Sequence, residues 1–155
     1  MKTLKTIAIC ALLSMSYFYS GAQENLPVVN QPDYNKPKLF EDLPQKMNLT
    51  ISDMESLFDL SVGTPVMAKL TKSFHFKGTI VSKSGGAETS IRSVVIKSTT
   101  RQGAVLTFTK ITNTDGTYAY RGRIISKESI DAYEIVKEND QYILQKKNYY
   151  EMVRE

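Results

Sequence analysis

Ser73-Phe74-His75-Phe76-Lys77-Gly78-Thr79-Ile80-Val81 alternates apolar and polar residues. Side chains alternate across a strand, so Phe74, Phe76 and Ile80 are expected on one face and His75, Lys77 and Thr79 on the other. The stretch opens a run of similar segments. Val66–Leu70, Ser73–Ser82, Ser90–Thr99, Ala104–Ile111, Thr117–Ser126, Asp131–Lys137 and Tyr142–Lys147 all read as strands. Between them stand turn signals: Ser84-Gly85-Gly86, Arg101-Gln102-Gly103, Asn113-Thr114-Asp115-Gly116 and Glu138-Asn139-Asp140-Gln141. Turns at that spacing imply an antiparallel meander. Several strands are apolar on both faces, as at Val94-Val95-Ile96. A flat sheet with one wet face has no need of that, so the sheet is expected to curl into a partial barrel or to be covered by a helix. Gly78 is expected to mark a bulge or a close approach. A two-residue loop at Asp115-Gly116 would set Lys110 opposite Arg121, and opposed like charges favour a longer loop or a solvent-facing pair.

Before the strands lies one helical signature. Ser52-Asp53-Met54-Glu55 has the spacing of a capping box, and Met54, Leu57 and Phe58 form an apolar face ended by Gly63 and Pro65. A helix over Ile51–Leu60 is too short to stand alone and must dock on the sheet. At the other end, Tyr149–Val153 fits a last helical turn. The expected fold is therefore α+β and mostly β: one short N-terminal helix packed on a six- to seven-stranded antiparallel meander.

Residues 24–48 contain Pro27, Pro32, Pro37 and Pro44, four of the five prolines, and read as an extended or disordered tail ahead of one domain over 49–155. Val28-Val29 or Leu39-Phe40 are candidates to lie against the domain or pair along a sheet edge. Residues 1–23 read as a signal peptide: Lys2 and Lys5, an apolar run over Ile7–Leu13, then Ser20-Gly21-Ala22. The apolar run is short for a membrane span. The ending Gly21-Ala22-Gln23 resembles signal peptides of Bacteroidota secreted proteins. The expected location is exported, periplasmic or extracellular, with no transmembrane segment after signal removal. The sole cysteine, Cys10, lies inside this signal, so the exported chain would have no disulfide, thiolate metal site or cysteine nucleophile.

The net charge is +4, and loss of Lys2 and Lys5 leaves +2. Its distribution is uneven: residues 24–60 carry −4, 61–126 carry +8, and 127–155 carry −2. A basic centre attracts anionic partners unless the acidic flanks fold back on it. Lys77, Lys97, Arg101, Lys110, Arg121 and Arg123 are the candidate anion-binding surface. Tyr118 and Tyr120 share a strand with Arg121 and Arg123 but fall on the opposite face. That separation disfavours a stacking platform for nucleic acid.

Catalytic signals are sparse. His75 is the only histidine, with no second soft ligand at metal spacing and no nucleophile elbow. Gly85-Gly86 lacks the lysine and helix of a phosphate loop. Convergent carboxylates are absent from the basic strands. No cofactor, metal or catalytic residue is implied.

Phe76-Lys77-Gly78-Thr79-Ile80, Ser93-Val94-Val95-Ile96, Tyr120-Arg121-Gly122-Arg123-Ile124 and Ala132-Tyr133-Glu134-Ile135 together resemble the β-rich propeptide modules of secreted metalloproteases. The likeness covers about half the chain. The sequence departs from it in having no cysteine to cap a zinc ion and no following protease domain. The resemblance implies a free-standing module that binds or restrains another exported protein, as an inhibitor or chaperone. The function expected is thus a non-enzymatic protein-binding module, with an anionic glycan or lipid head group as the alternative ligand.

Overall fold

The structure, a computed structural model, describes residues 32–153. The segment 1–23 expected to be a signal peptide, Cys10 and Val28-Val29 lie outside the described residues. Eight strands form one sheet: β1 Lys46–Asn48, β2 Pro65–Lys69, β3 His75–Ser84, β4 Ile91–Ser98, β5 Val105–Thr112, β6 Tyr118–Ile125, β7 Asp131–Glu138 and β8 Gln141–Asn148. Every neighbouring pair is antiparallel, in the order β1-β8-β7-β6-β5-β4-β3-β2. The sheet is a curled half-barrel with a small helix.

The seven meander strands fall where alternation places them. The eighth, β1, is an addition to the expected six or seven, and it pairs with the last strand through Met47 opposite Leu144. β1 and β2 are near in sequence yet form the two opposite edges of the sheet. Two consecutive residues between them tie those edges together. The Leu49 amide donates to the Tyr142 carbonyl of β8 at 2.9 Å, and the Thr50 amide donates to the Leu70 carbonyl past β2 at 2.9 Å. Only a rolled sheet allows this.

α1 spans Ile51–Glu55 and continues as one 3-10 turn over Ser56–Asp59. The expected capping box does not form. Thr50 is the N-cap, with no side-chain cap bond, and Glu55 is drawn to Lys110 and Tyr120 instead. Met54, Leu57 and Phe58 are buried as expected and plug the concave face. There they meet Phe76, Ile80, Ile96, Phe108 and Ile124; Phe58 stacks on Phe108 at 5.2 Å. A second short helix, α2, covers Tyr149–Met152, capped by the Asn148 side chain accepting from the Tyr150 amide.

Gly78 is a close approach rather than a bulge: a Cβ there would stand 2.3 Å from the Lys97 carbonyl oxygen. The bulge lies three residues on, at Val81, where the β3–β4 register shifts between Ile80 and Ser82.

Leu39-Phe40 does lie against the domain, and Phe40 is fully buried. This segment has no regular secondary structure, so side chains must satisfy its backbone. The Asp131 carboxylate accepts from the Leu39 and Phe40 amides at 2.7 and 2.9 Å and from Ser129 Oγ at 2.5 Å. Lys146 Nζ donates to the carbonyls of Phe40 and Leu43 at 2.7 and 2.5 Å. The Arg101 guanidinium donates to the Leu39 carbonyl and the Tyr133 hydroxyl to that of Pro44. Burial pushes the Tyr133 phenol up to about 12, so it stays a donor across neutral pH.

Candidate functional site

The β5–β6 hairpin sets which residues oppose Lys110 and Arg121. Its loop is one residue longer than Asp115-Gly116 alone. The Asn113 amide donates to the Thr117 carbonyl at 2.9 Å, and Gly116 takes the positive φ of +81° that closes the turn. Lys110 therefore stands opposite Tyr120, and Arg121 opposite Thr109. Directly opposed residues share a face, so in this register the two cations are separated: Lys110 lies on the concave side with Leu106 and Phe108, and Arg121 on the convex side with Thr109.

The six candidate cations divide accordingly. Lys110 Nζ meets Glu55 Oε1 at 2.5 Å and lies 3.8 Å from the centre of the Tyr118 ring. Arg101 pairs with Asp42 at 2.7 Å beneath the docked N-terminal segment. These two are committed to internal contacts. Arg92 and Lys69 likewise meet Asp59 and Asp53 at 3.0 and 3.3 Å. The acidic flank thus does fold back on the basic centre, but on the helix side of the sheet. Lys77, Lys97, Arg121 and Arg123 are exposed on the convex face, and no described carboxylate lies within ion-pair distance of them.

Arg121 and Arg123 line a groove of about 470 Å³ with Thr107, Thr109, Glu134 and Met152. The groove opens where β6 and β7 part. Only Gly122, Arg123 and Ile124 pair with β7, while Val136–Glu138 of β7 continue with β8 alone. Gly122 sets the tight end: a Cβ there would lie 2.4 Å from the Thr107 carbonyl oxygen and 2.8 Å from Ile135 Cδ1. On the concave side of the gap, Tyr142 OH accepts from the Tyr120 amide at 3.1 Å. Thr109 Oγ1 lies 2.9 Å from Ser93 Oγ, extending the hydroxyl row to β4. Lys97 flanks the groove, being paired with Val105 one step along from Thr107. Lys77 lies farther off, on β3 opposite Met67. Of the six expected cations the structure therefore brings Arg121 and Arg123 together, with Lys97 beside them. Thr107, Thr109, Glu134 and Met152 were not anticipated. The Thr-x-Thr alternation of β5 was the signal for the first two.

Facing inward, Tyr120 OH donates to Glu55 Oε1 at 2.6 Å. The bonds from Lys110 and Tyr120 hold the Glu55 carboxyl below the usual carboxylate range, and burial with the Glu55 bond raises the Tyr120 phenol. Both groups keep a single protonation state around neutral pH, so the cluster anchors α1 and is not poised for proton transfer. His75 is exposed on β3, opposite Lys69. Among the described residues no group of three His, Cys, Asp or Glu side chains could hold a metal ion, and no helix is long and apolar enough to cross a membrane.

Comparison with protein-family models, with characterised proteins and with solved structures found no match. The propeptide-like resemblance accordingly rests on its residues alone.

Proposed function

We propose that the protein is an exported, non-enzymatic binding module that holds an anionic group, of a glycan or a lipid head group, in the convex groove. One observation carries this reading: Arg121 and Arg123 project into a hydroxyl-lined groove with Lys97 beside it, while Arg92, Arg101 and Lys110 are paired with carboxylates elsewhere. Guanidinium forks suit carboxylate, sulfate or phosphate oxygens. The Thr107 and Thr109 hydroxyls add neutral donors, and Glu134 can accept from a sugar hydroxyl. Export is the reading of Lys2, Lys5, Ile7–Leu13 and Ser20–Ala22.

The test is a titration of the purified protein with heparin, polygalacturonate and phosphatidylglycerol vesicles. Affinity for at least one is expected to fall tenfold or more on Arg121→Glu/Arg123→Glu and to weaken with salt. The probe that binds separates glycan from lipid. Undiminished affinity in the double variant, or binding of none of the three, overturns the reading.

A further inference from the structure

The convex groove holds a carboxylate as well as its two guanidiniums. Arg123 of β6 and Glu134 of β7 are directly opposed. Opposite charges in that position ordinarily pair across a sheet. Here no ion pair forms between them, and neither joins another among the described residues, although both line the groove. Guanidinium donors and a carboxylate acceptor thus stand side by side, each open to a ligand. Two arginines and one glutamate leave the groove with one positive charge.

That charge balance selects among anions. An ionised carboxylate only accepts hydrogen bonds, so Glu134 needs a donor from the ligand and repels a second anionic group. A phosphate monoester carries close to two charges at neutral pH. A densely sulfated sugar has exchanged hydroxyls for charge. Both set anionic oxygens against Glu134. A uronate sugar carries one carboxylate fixed on its ring and keeps its remaining hydroxyls as donors. The carboxylate matches the planar forks of Arg121 and Arg123, and the hydroxyls can reach Glu134. The polar row is also long. Thr107 opposes Arg123, Arg123 opposes Glu134, and Glu134 opposes Gln145. Directly opposed residues share a face, so these side chains cross four strands, over about 14 Å at the usual strand spacing. Such a row suits a linear chain of sugars laid across the strands rather than one lipid head group.

We propose, resting on the anion-site reading above, that the convex groove selects a uronate unit of a linear glycan. Arg121 and Arg123 hold its carboxylate, and Glu134 accepts from its ring hydroxyls. Glu134 is the specificity residue: it admits a singly charged, hydroxyl-bearing sugar and disfavours more highly charged anions.

The full chain is titrated at one ionic strength with a galacturonate tetramer, its methyl ester, a heparin tetrasaccharide and phosphatidylglycerol vesicles. Unselective charge attraction ranks heparin first. The expected order is the reverse, with galacturonate at least fivefold tighter than heparin and at least tenfold tighter than its own methyl ester. Glu134→Gln removes the charge and keeps the size. It is expected to shrink the lead of galacturonate over heparin at least fivefold, mainly by raising the affinity for heparin. Heparin or vesicles bound as tightly as galacturonate, or a ratio unchanged in Glu134→Gln, overturns the uronate assignment. If binding in those cases is still lost in Arg121→Glu/Arg123→Glu, the anion site stands without it. Binding of none of the probes, or binding indifferent to the two arginines, overturns both readings.

Discussion

Phe40→Ala tests whether the segment before β1 is part of the core. Phe40 is fully buried, meets Tyr133 edge-on at 5.6 Å, and lies 5.2 Å from the Arg101 guanidinium. Removing the ring forfeits its transfer energy and leaves a cavity between groups whose hydrogen bonds hold them in place. Such substitutions cost about 3–5 kcal/mol. For a domain of this size that lowers the melting temperature by roughly 10–20 °C. The assay is urea denaturation of the full chain, with an unchanged m-value confirming that stability alone has moved. Hydrogen exchange adds a local reading, because Asp131 holds the Leu39 and Phe40 amides. In the variant both should exchange faster than the central strands. A loss under about 1 kcal/mol, with both amides exchanging freely in the parent protein, would refute the docking of this segment.

Two further outcomes follow from the geometry. Arg101 holds Asp42, and Lys110 with Tyr120 holds Glu55, below the usual carboxylate range. A lowered folded-state value stabilises the protein above the unfolded value, and that contribution is lost as pH falls through the folded one. Urea midpoints should therefore drop below about pH 4, and Asp42→Asn/Glu55→Gln should flatten that acid limb; an unchanged limb would show that these pairs do not stabilise the fold. Gly122→Ala should cost about 3 kcal/mol, because its Cβ meets β5 backbone at 2.4 Å, whereas Gly86→Ala, with nothing within 4 Å, should shift the urea midpoint little.

The strands of the meander were legible because their periodicity is local. The pattern of Phe74, Phe76 and Ile80 survives intact, as does the opposition of Tyr118 and Tyr120 to Arg121 and Arg123. The Asn139-Asp140 hairpin was equally readable, both residues taking positive φ. Features that depend on distant partners were not. Three residues of β1 beside Pro44 are too few to show a period. Phe40 is buried only because Asp131, Lys146, Arg101 and Tyr133, far along the chain, satisfy the backbone around it. Ser52 and Glu55 have the right spacing for a capping box, yet Glu55 finds a cation and a phenol across the concave face. Lys110 illustrates the limit most plainly: alternation places it on the face of Leu106 and Phe108, and its capture by Glu55 across the concave face depends on a distant partner. The groove itself needed the parting of β6 from β7, which no local pattern signals.

The convex groove is tested most directly by mapping backbone amide shifts while a heparin-derived tetrasaccharide or a galacturonate oligomer is added. The shifts should concentrate on Thr107, Thr109, Arg121, Gly122 and Arg123, with a smaller response at Lys97. Shifts spread evenly over all exposed lysines, or centred on Arg92 and Lys110, would contradict a built anion site on this face.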